Sequence, residues 1–205
     1  MGPASKKYWH DSRAGKGLSG YNFSNVLSFN YSYDLPFGKD KHGLAGHLLS
    51  GWRTTGILNV RDGSPFTLQA AVPAALTALA VRSRSPNAIA GCGPIVLGGP
   101  DKYFNANCFS APGAREIGNL GRNTVVGPGS VTWNPALFKT TQLTEKVGLE
   151  FRAEAFNVLN RANFGFPANT LFSGTGTFPR IGSAGVITDT TSTARQLQFA
   201  LKLVW

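Results

Sequence analysis

The stretch that most constrains what this chain can fold into is Arg195 to Trp205, RQLQFALKLVW. At a period of two, Leu197, Phe199, Leu201, Leu203 and Trp205 share one face of a strand, while Gln196, Gln198, Ala200, Lys202 and Val204 share the other. One face is therefore apolar over five successive positions, with an aromatic residue closing it where a membrane interface favours one. A strand in a soluble domain typically runs about five or six residues, whereas a tilted strand crossing a hydrocarbon layer needs about ten. The stretch reads either as the closing strand of an outer-membrane β-barrel or as an amphipathic strand on a soluble sheet. The remainder of the chain has to separate the two.

Composition narrows the choice. Only 15% of the 205 residues are charged, against an average of about 25%, and 25 Gly and 12 Pro accompany 14 Phe. Aromatic residues among abundant Gly, Ser, Thr and Asn suit strands joined by long irregular connections better than a helical core. No stretch approaches about 18 consecutive apolar residues, which rules out a transmembrane helix but not a barrel, whose hydrophobicity is spread over alternate positions. The net charge of +10 comes from scattered Lys and Arg with no basic run of five to eight residues, so no nucleic-acid partner is expected. Basic loops meeting anionic lipid headgroups explain the charge equally well.

The alternation recurs along the chain. From Tyr21, residues Phe23, Asn25, Leu27, Phe29, Tyr31, Tyr33 and Leu35 fall on one face, and Ser24, Val26, Ser28, Asn30, Ser32 and Asp34 on the other. A turn at Pro36 to Lys41 and a short helical turn around Leu44, Leu48 and Leu49 lead to a second strand, Trp52 to Arg61, whose second face carries Arg53 and Arg61. A third strand is expected at Val131 to Thr141, with Pro135 implying a bulge or an irregular segment because proline lacks the N–H that a ladder uses. A short turn precedes the fourth strand, where Glu150, Arg152 and Glu154 share a face and can pair in a wet lumen. Residues 1–20 are expected as loop, and residues 66–130 and 157–194 as long loops. Long and short connections thus alternate, as extracellular loops and periplasmic turns do in bacterial barrels. If the last strand ends on the periplasmic side, every long loop lies outside.

Chemistry-bearing patterns are few. Gly15, Gly17 and Gly20 spell GxGxxG, but no strand precedes them and a β pattern follows, so a dinucleotide cradle lacks its context. His10, His42 and His47 share no metal-ligand spacing, and no Ser/His/Asp set is visible. Glu150 and Glu154 invite a paired-carboxylate reading, with nothing to supply a cleft or fix their separation. No enzymatic activity, cofactor or metal is expected. Cys92 and Cys108 lack a second cysteine pair that would complete a zinc site; a loop disulfide in an oxidising compartment is the better expectation, with two free thiols as the alternative. Asn105, Asn107, Asn119 and Asn123, with Tyr103, Phe104, Arg115 and Arg122, offer polar and aromatic groups for a ligand, or equally for the loop's own backbone.

Several motifs carry a family resemblance. YDLPFGKDK, GWRTTGILNVRDGSPFT, YFNANCFSAPG, GNLGRNTVVGPGSVTWNPALFK, LEFRAEAFNVLNRANFGFP and the terminal RQLQFALKLVW resemble, in order, the carboxy-terminal end of TonB-dependent outer-membrane receptors. The nearest group is the Oar-like receptors with an amino-terminal carboxypeptidase-regulatory-like domain. The resemblance covers nearly all of residues 1–205. It implies an all-β fold, an antiparallel transmembrane barrel of which about five strands are present, with long extracellular loops and no plug domain. It also implies a bacterial outer-membrane location and a role in binding and importing a scarce solute. Leu197, Phe199, Leu201, Leu203 and Trp205 would be the signal read by the barrel-assembly machinery; the family usually ends in Phe, so Trp205 departs mildly. Implied partners are outer-membrane lipid and lipopolysaccharide, the assembly machinery, and the TonB complex through an amino-terminal part. Without a plug, TonB-box segment or signal peptide, the chain is expected to be a fragment of a receptor. A secreted all-β binding or adhesion module with a disulfide-stapled loop is the alternative.

Overall fold

The computed structural model describes residues 16–38, 43–71, 83–113, 118–174 and 179–205. In chain order these form β1 (Val26–Asp34), α1 (Gly43–Leu49), β2 (Trp52–Arg61), β3 (Pro65–Phe66), β4 (Gln69–Ala71), β5 (Ser83–Arg84) and β6 (Asn87–Ala88). There follow β7 (Phe109–Ser110), β8 (Val125–Val126), β9 (Ser130–Gln142), β10 (Gly148–Phe156), β11 (Thr170–Ser173) and β12 (Gln196–Val204). They divide into two compact units. One is made of residues 25–61, 130–163 and 191–205, the other of residues 1–24, 62–129 and 164–190.

The first unit is one antiparallel sheet of five strands in the order β1-β2-β9-β10-β12. Its ladders run without a shift of register: Val26↔Arg61 to Asp34↔Arg53, Trp52↔Lys139 to Arg61↔Ser130, Gly148↔Gln142 to Glu154↔Ala136, and Gly148↔Val204 to Phe156↔Gln196. Among the described residues β1 and β12 do not pair with each other, so the sheet is open. Strict alternation lets these segments hold register, because a one-residue slip would carry every apolar side chain to the polar face.

Two expectations are corrected here. The first strand begins at Val26 rather than Tyr21, because Asn22 donates its N–H to the Ser19 carbonyl at 3.0 Å and turns the chain before the sheet starts. Of the bulge or irregular segment expected at Pro135, the bulge is absent, since Pro135 pairs in register with Gly56. The β9–β10 ladder instead stops at Ala136, and beyond it the Asn134 side chain accepts the N–H of Asn157 at 2.8 Å. The side chain thus supplies an acceptor where the backbone ladder has ended.

The second unit differs from the loops expected over residues 66–130 and 157–194. It carries β3–β8 pairing, the sheet β11-β4-β5 and the β6–β7 pair. Around these lies a buried core that includes Phe66, Leu68, Tyr103, Phe104, Phe109, Leu120, Val125, Leu171, Phe172 and Ile187. Phe104 meets Phe109 edge-to-face at 6.5 Å. Gly63 and Gly118 sit against the carbonyls of Gly127 and Ser85, where any Cβ would collide with backbone. Of the expected loop at residues 1–20, residues 1–15 lie outside the described residues; Gly17 bridges to Arg122.

Candidate membrane-spanning surface

Parity and register join five strands into two continuous faces. One face collects Leu27, Phe29, Tyr31 and Tyr33 from β1, Leu58 and Val60 from β2, and Val131, Trp133 and Leu137 from β9. It continues through Leu149, Phe151 and Ala153 of β10 to Leu197, Phe199, Leu201 and Leu203 of β12. This apolar face is open: Phe29 is 54% exposed, Phe199 68% and Leu201 71%. Trp52 meets Phe151 edge-on at 6.5 Å, and Phe151 stacks with Phe199 at 6.4 Å, so aromatic contacts tie β2, β10 and β12 together across it. Tyr31 lies over Gly56, its cross-strand partner, where a Cβ would meet the ring at 2.6 Å. The ring fills the place of the absent side chain and covers backbone the glycine would leave bare.

The opposite face carries Val26, Ile57, Phe138 and Val204 among polar side chains that partner one another. Arg53 pairs with Asp34 at 2.5 Å, Ser28 donates to Asn59 at 2.7 Å, and Arg61 donates to the Ser130 hydroxyl at 3.0 Å. Arg152 lies between Glu150 and Glu154, at 3.5 and 3.8 Å, with its guanidinium 4.9 Å from the centre of the Phe138 ring. Gln196, Gln198 and Lys202 extend this face along β12. Among the described residues no cluster of three or more His, Cys, Asp or Glu is placed to hold a metal ion.

The two ends of the sheet differ. Gly148 pairs with both Gln142 and Val204, so the β9–β10 turn and the last residues of β12 lie at one end. Asp34 and Arg53 pair at that end too, with the β1–β2 connection and α1. There Lys139, on the apolar face, extends its Nζ to the carbonyls of His47 and Ser50, both at 2.7 Å, with the Trp52 ring centre at 5.2 Å. The Trp52 indole N–H donates to the Leu48 carbonyl at 3.0 Å. An ammonium on an apolar face is thus met by the free carbonyls of a helix C-terminus, which carry partial negative charge. The helical turn itself is expected from the sequence, but its meeting with Lys139 is not, since the two are remote along the chain.

At the other end the chain leaves the sheet after Arg61 and Phe156 and returns at Ser130 and Gln196. Asn163 is fully buried here. Its side chain accepts the Val131 N–H at 2.8 Å and donates to the Val131 carbonyl at 3.0 Å and to the Ser192 hydroxyl at 2.9 Å. Asn157 and Asn160 take left-handed φ values of 48° and 49°, which asparagine tolerates better than most residues. The NVLNRANF motif is therefore a set of asparagines that fasten the strand ends.

The second unit holds the candidate loop residues. Cys92 and Cys108 are joined by a disulfide, with Cα atoms 5.3 Å apart. Tyr103 and Phe104 are core residues, and the Tyr103 hydroxyl donates to the Val126 carbonyl at 3.0 Å; burial holds its phenol above the ordinary pKa. Asn105 accepts the Asn107 N–H, and Asn107 accepts from Arg180, which also bonds the Phe109 carbonyl at 3.1 Å. Asn119 exchanges hydrogen bonds with Asn87 and Ala88, and Asn123 with Thr67 and Leu18. Arg122 is the bridge partner of Gly17, and Arg115 lies outside the described residues. The four amides thus all make hydrogen bonds within the unit.

An antiparallel sheet with an open apolar face and, opposite it, polar side chains paired with one another is the wall of a membrane β-barrel, its apolar side chains turned to lipid. Nine-residue strands at about 3.3 Å per residue, tilted by about 40°, cover roughly 23 Å, close to the ~25 Å apolar band of such barrels. The chain belongs to the family described as the outer membrane beta barrel domain, whose model matches residues 2–198. It is a bacterial outer-membrane protein, which sets aside the secreted-module alternative. No curated protein and no solved structure shows a significant match.

Proposed function

We propose that this chain is a carboxy-terminal sector of a TonB-dependent receptor of the Oar-like group, and that it serves binding and passage of a scarce solute without covalent catalysis. One observation carries the reading. The register puts both short connections and the end of β12 at one end of the sheet, and every long excursion leaves from the other. Outer-membrane barrels place short turns in the periplasm and long loops outside. The excursions then build an extracellular, disulfide-stapled body suited to capture, and the polar face lines a lumen. The open edges of β1 and β12 are completed by further strands of the receptor, because lipid offers no partner for bare N–H and C=O groups. Leu197, Phe199, Leu201, Leu203 and Trp205 face lipid as the barrel-assembly signal, and the TonB complex acts through a more amino-terminal part.

The test is uptake in cells whose sole copy of the gene is intact or deleted, using labelled ferric siderophore, cobalamin and oligosaccharide. Uptake of one of these should require both the gene and an intact TonB complex. Gene-dependent uptake that persists without the TonB complex would sink the receptor reading while leaving the barrel in place.

A further inference from the structure

In the second unit, residues 95–97 pair with residues 103–105 along one edge and leave the other edge bare. Val96 forms an antiparallel bridge with the fully buried Phe104. On that side Leu97 donates its N–H to the Tyr103 carbonyl at 2.7 Å, and the Ile95 carbonyl accepts the Asn105 N–H at 2.8 Å. The N–H and C=O of Val96 point the other way, as alternate residues of a strand do, and have no hydrogen-bond partner among the described residues. Ile95, Val96 and Leu97 are all exposed, and Ser85 to Pro100 contains no Asp, Glu, Lys or Arg. Natural proteins guard a bare edge with charge or with proline inside it. Here Pro94 and Pro100 only bracket the edge. Its flanks are fixed by the disulfide from Cys92 to the buried Cys108, and by the Ile187 N–H, which donates to the Pro100 carbonyl at 2.7 Å. The edge is therefore held ready before any partner arrives.

We infer that the edge at Ile95, Val96 and Leu97 binds an extended, uncharged peptide by strand addition, and that such a peptide is the solute captured. In an antiparallel pair the residue facing Val96 exchanges both bonds with it, giving its N–H to the Val96 carbonyl and accepting the Val96 N–H. A carboxylate or phosphate offers acceptors alone and satisfies half of this demand. The lack of charge from Ser85 to Pro100 fits a chain with uncharged side chains, because a charged one would lose water beside aliphatic groups that supply no counter-charge. The bracketing prolines limit the added strand to about five residues. The inference rests on the reading of this unit as the extracellular capture body of a receptor.

The experiment measures binding of a fluorescent, end-blocked pentapeptide of alternating threonine and valine to the purified full-length protein in detergent. V96P removes the unpartnered N–H without breaking an existing bond and should weaken binding roughly fivefold. L97K leaves every main-chain group in place and should cost about tenfold by withdrawing a leucine from the contact. The same peptide N-methylated at every amide keeps its side chains and should bind roughly fivefold more weakly to the native protein. Both variants should keep their heat-modifiable mobility and the Cys92–Cys108 bond, read from the mobility shift on reduction. Absence of binding to the native protein overturns the site. So does unchanged affinity in V96P or for the N-methylated peptide, which would mark apolar adhesion. Self-association that V96P abolishes, with no peptide bound, gives the edge to a second copy and overturns the peptide. Uptake of the pentapeptide by intact cells separates the site from the reading beneath it. Binding without gene-dependent uptake overturns the peptide as solute. Gene-dependent uptake that persists without the TonB complex defeats the receptor reading alone, and TonB-dependent uptake of another solute by a protein that binds no peptide defeats the site alone.

Discussion

In the unit built from residues 62–129 and 164–190, Phe104, Phe109, Leu68 and Leu171 are sealed from solvent, whereas in the five-stranded sheet Phe29, Phe199, Leu201 and Leu203 are each more than half exposed. The polar groups are distributed in the opposite sense. The sheet gathers Arg53, Asp34, Glu150, Arg152 and Glu154 on its other face in mutual pairs, while the described ion pairs include none in the second unit. One chain therefore solves two solvent problems. Where water surrounds the polypeptide, apolar side chains must turn inward; where hydrocarbon surrounds it, they turn outward and only the backbone must be satisfied internally.

The comparison can be broken by substitutions that exchange the two rules. The largest effect is expected for Phe104→Ala, which empties a fully buried ring site and should cost about 3–5 kcal/mol in the second unit alone. Limited proteolysis of outer membranes should then clip residues 62–129 while the heat-modifiable band persists; loss of the band as well would mean the two units fold as one. Phe199→Lys puts a charge on the lipid face and should cost about 2–4 kcal/mol near the bilayer midplane. Gln198→Lys, one residue away on the polar face, should cost little. Equal penalties in equilibrium folding into lipid vesicles would show that the faces are wrongly assigned.

The smallest effect concerns Tyr103. Its pKa is raised by burial, so the folded state holds the phenolic proton more tightly than the unfolded chain does. That contribution to stability is complete below the unfolded value of about 10 and is lost as pH climbs through the raised folded value. Ultraviolet titration should find one phenol that ionises late, and Tyr103→Phe should abolish that late step. A late step that survives in Tyr103→Phe would assign it to another tyrosine.

Lipid-facing strands announce themselves because one face must satisfy one uniform solvent at every second residue. For that reason β2 spans the same residues, Trp52 to Arg61, that its alternation marks out, and the all-β class and the two faces of β12 follow from periodicity alone. The second unit has no such signal. Its core draws Phe66 and Leu68 from one segment, Tyr103, Phe104 and Phe109 from another, and Leu171, Phe172 and Ile187 from a third, each too short for a period to show. Glycines, prolines and asparagines between them read as loop because each residue's local chemistry is that of a turn. Pro135 shows the same limit at a single position: its missing N–H predicts a break, but only the pairing of neighbouring strands decides that the ladder with β10 ends there and the one with β2 does not. The sequence by itself determined which residues meet lipid, since that is a local alternation against a uniform medium. Tertiary structure alone decided which distant segments close a core, which carbonyls receive Lys139 and which asparagines hold the strand ends, because those partners are set by the folded path of the chain.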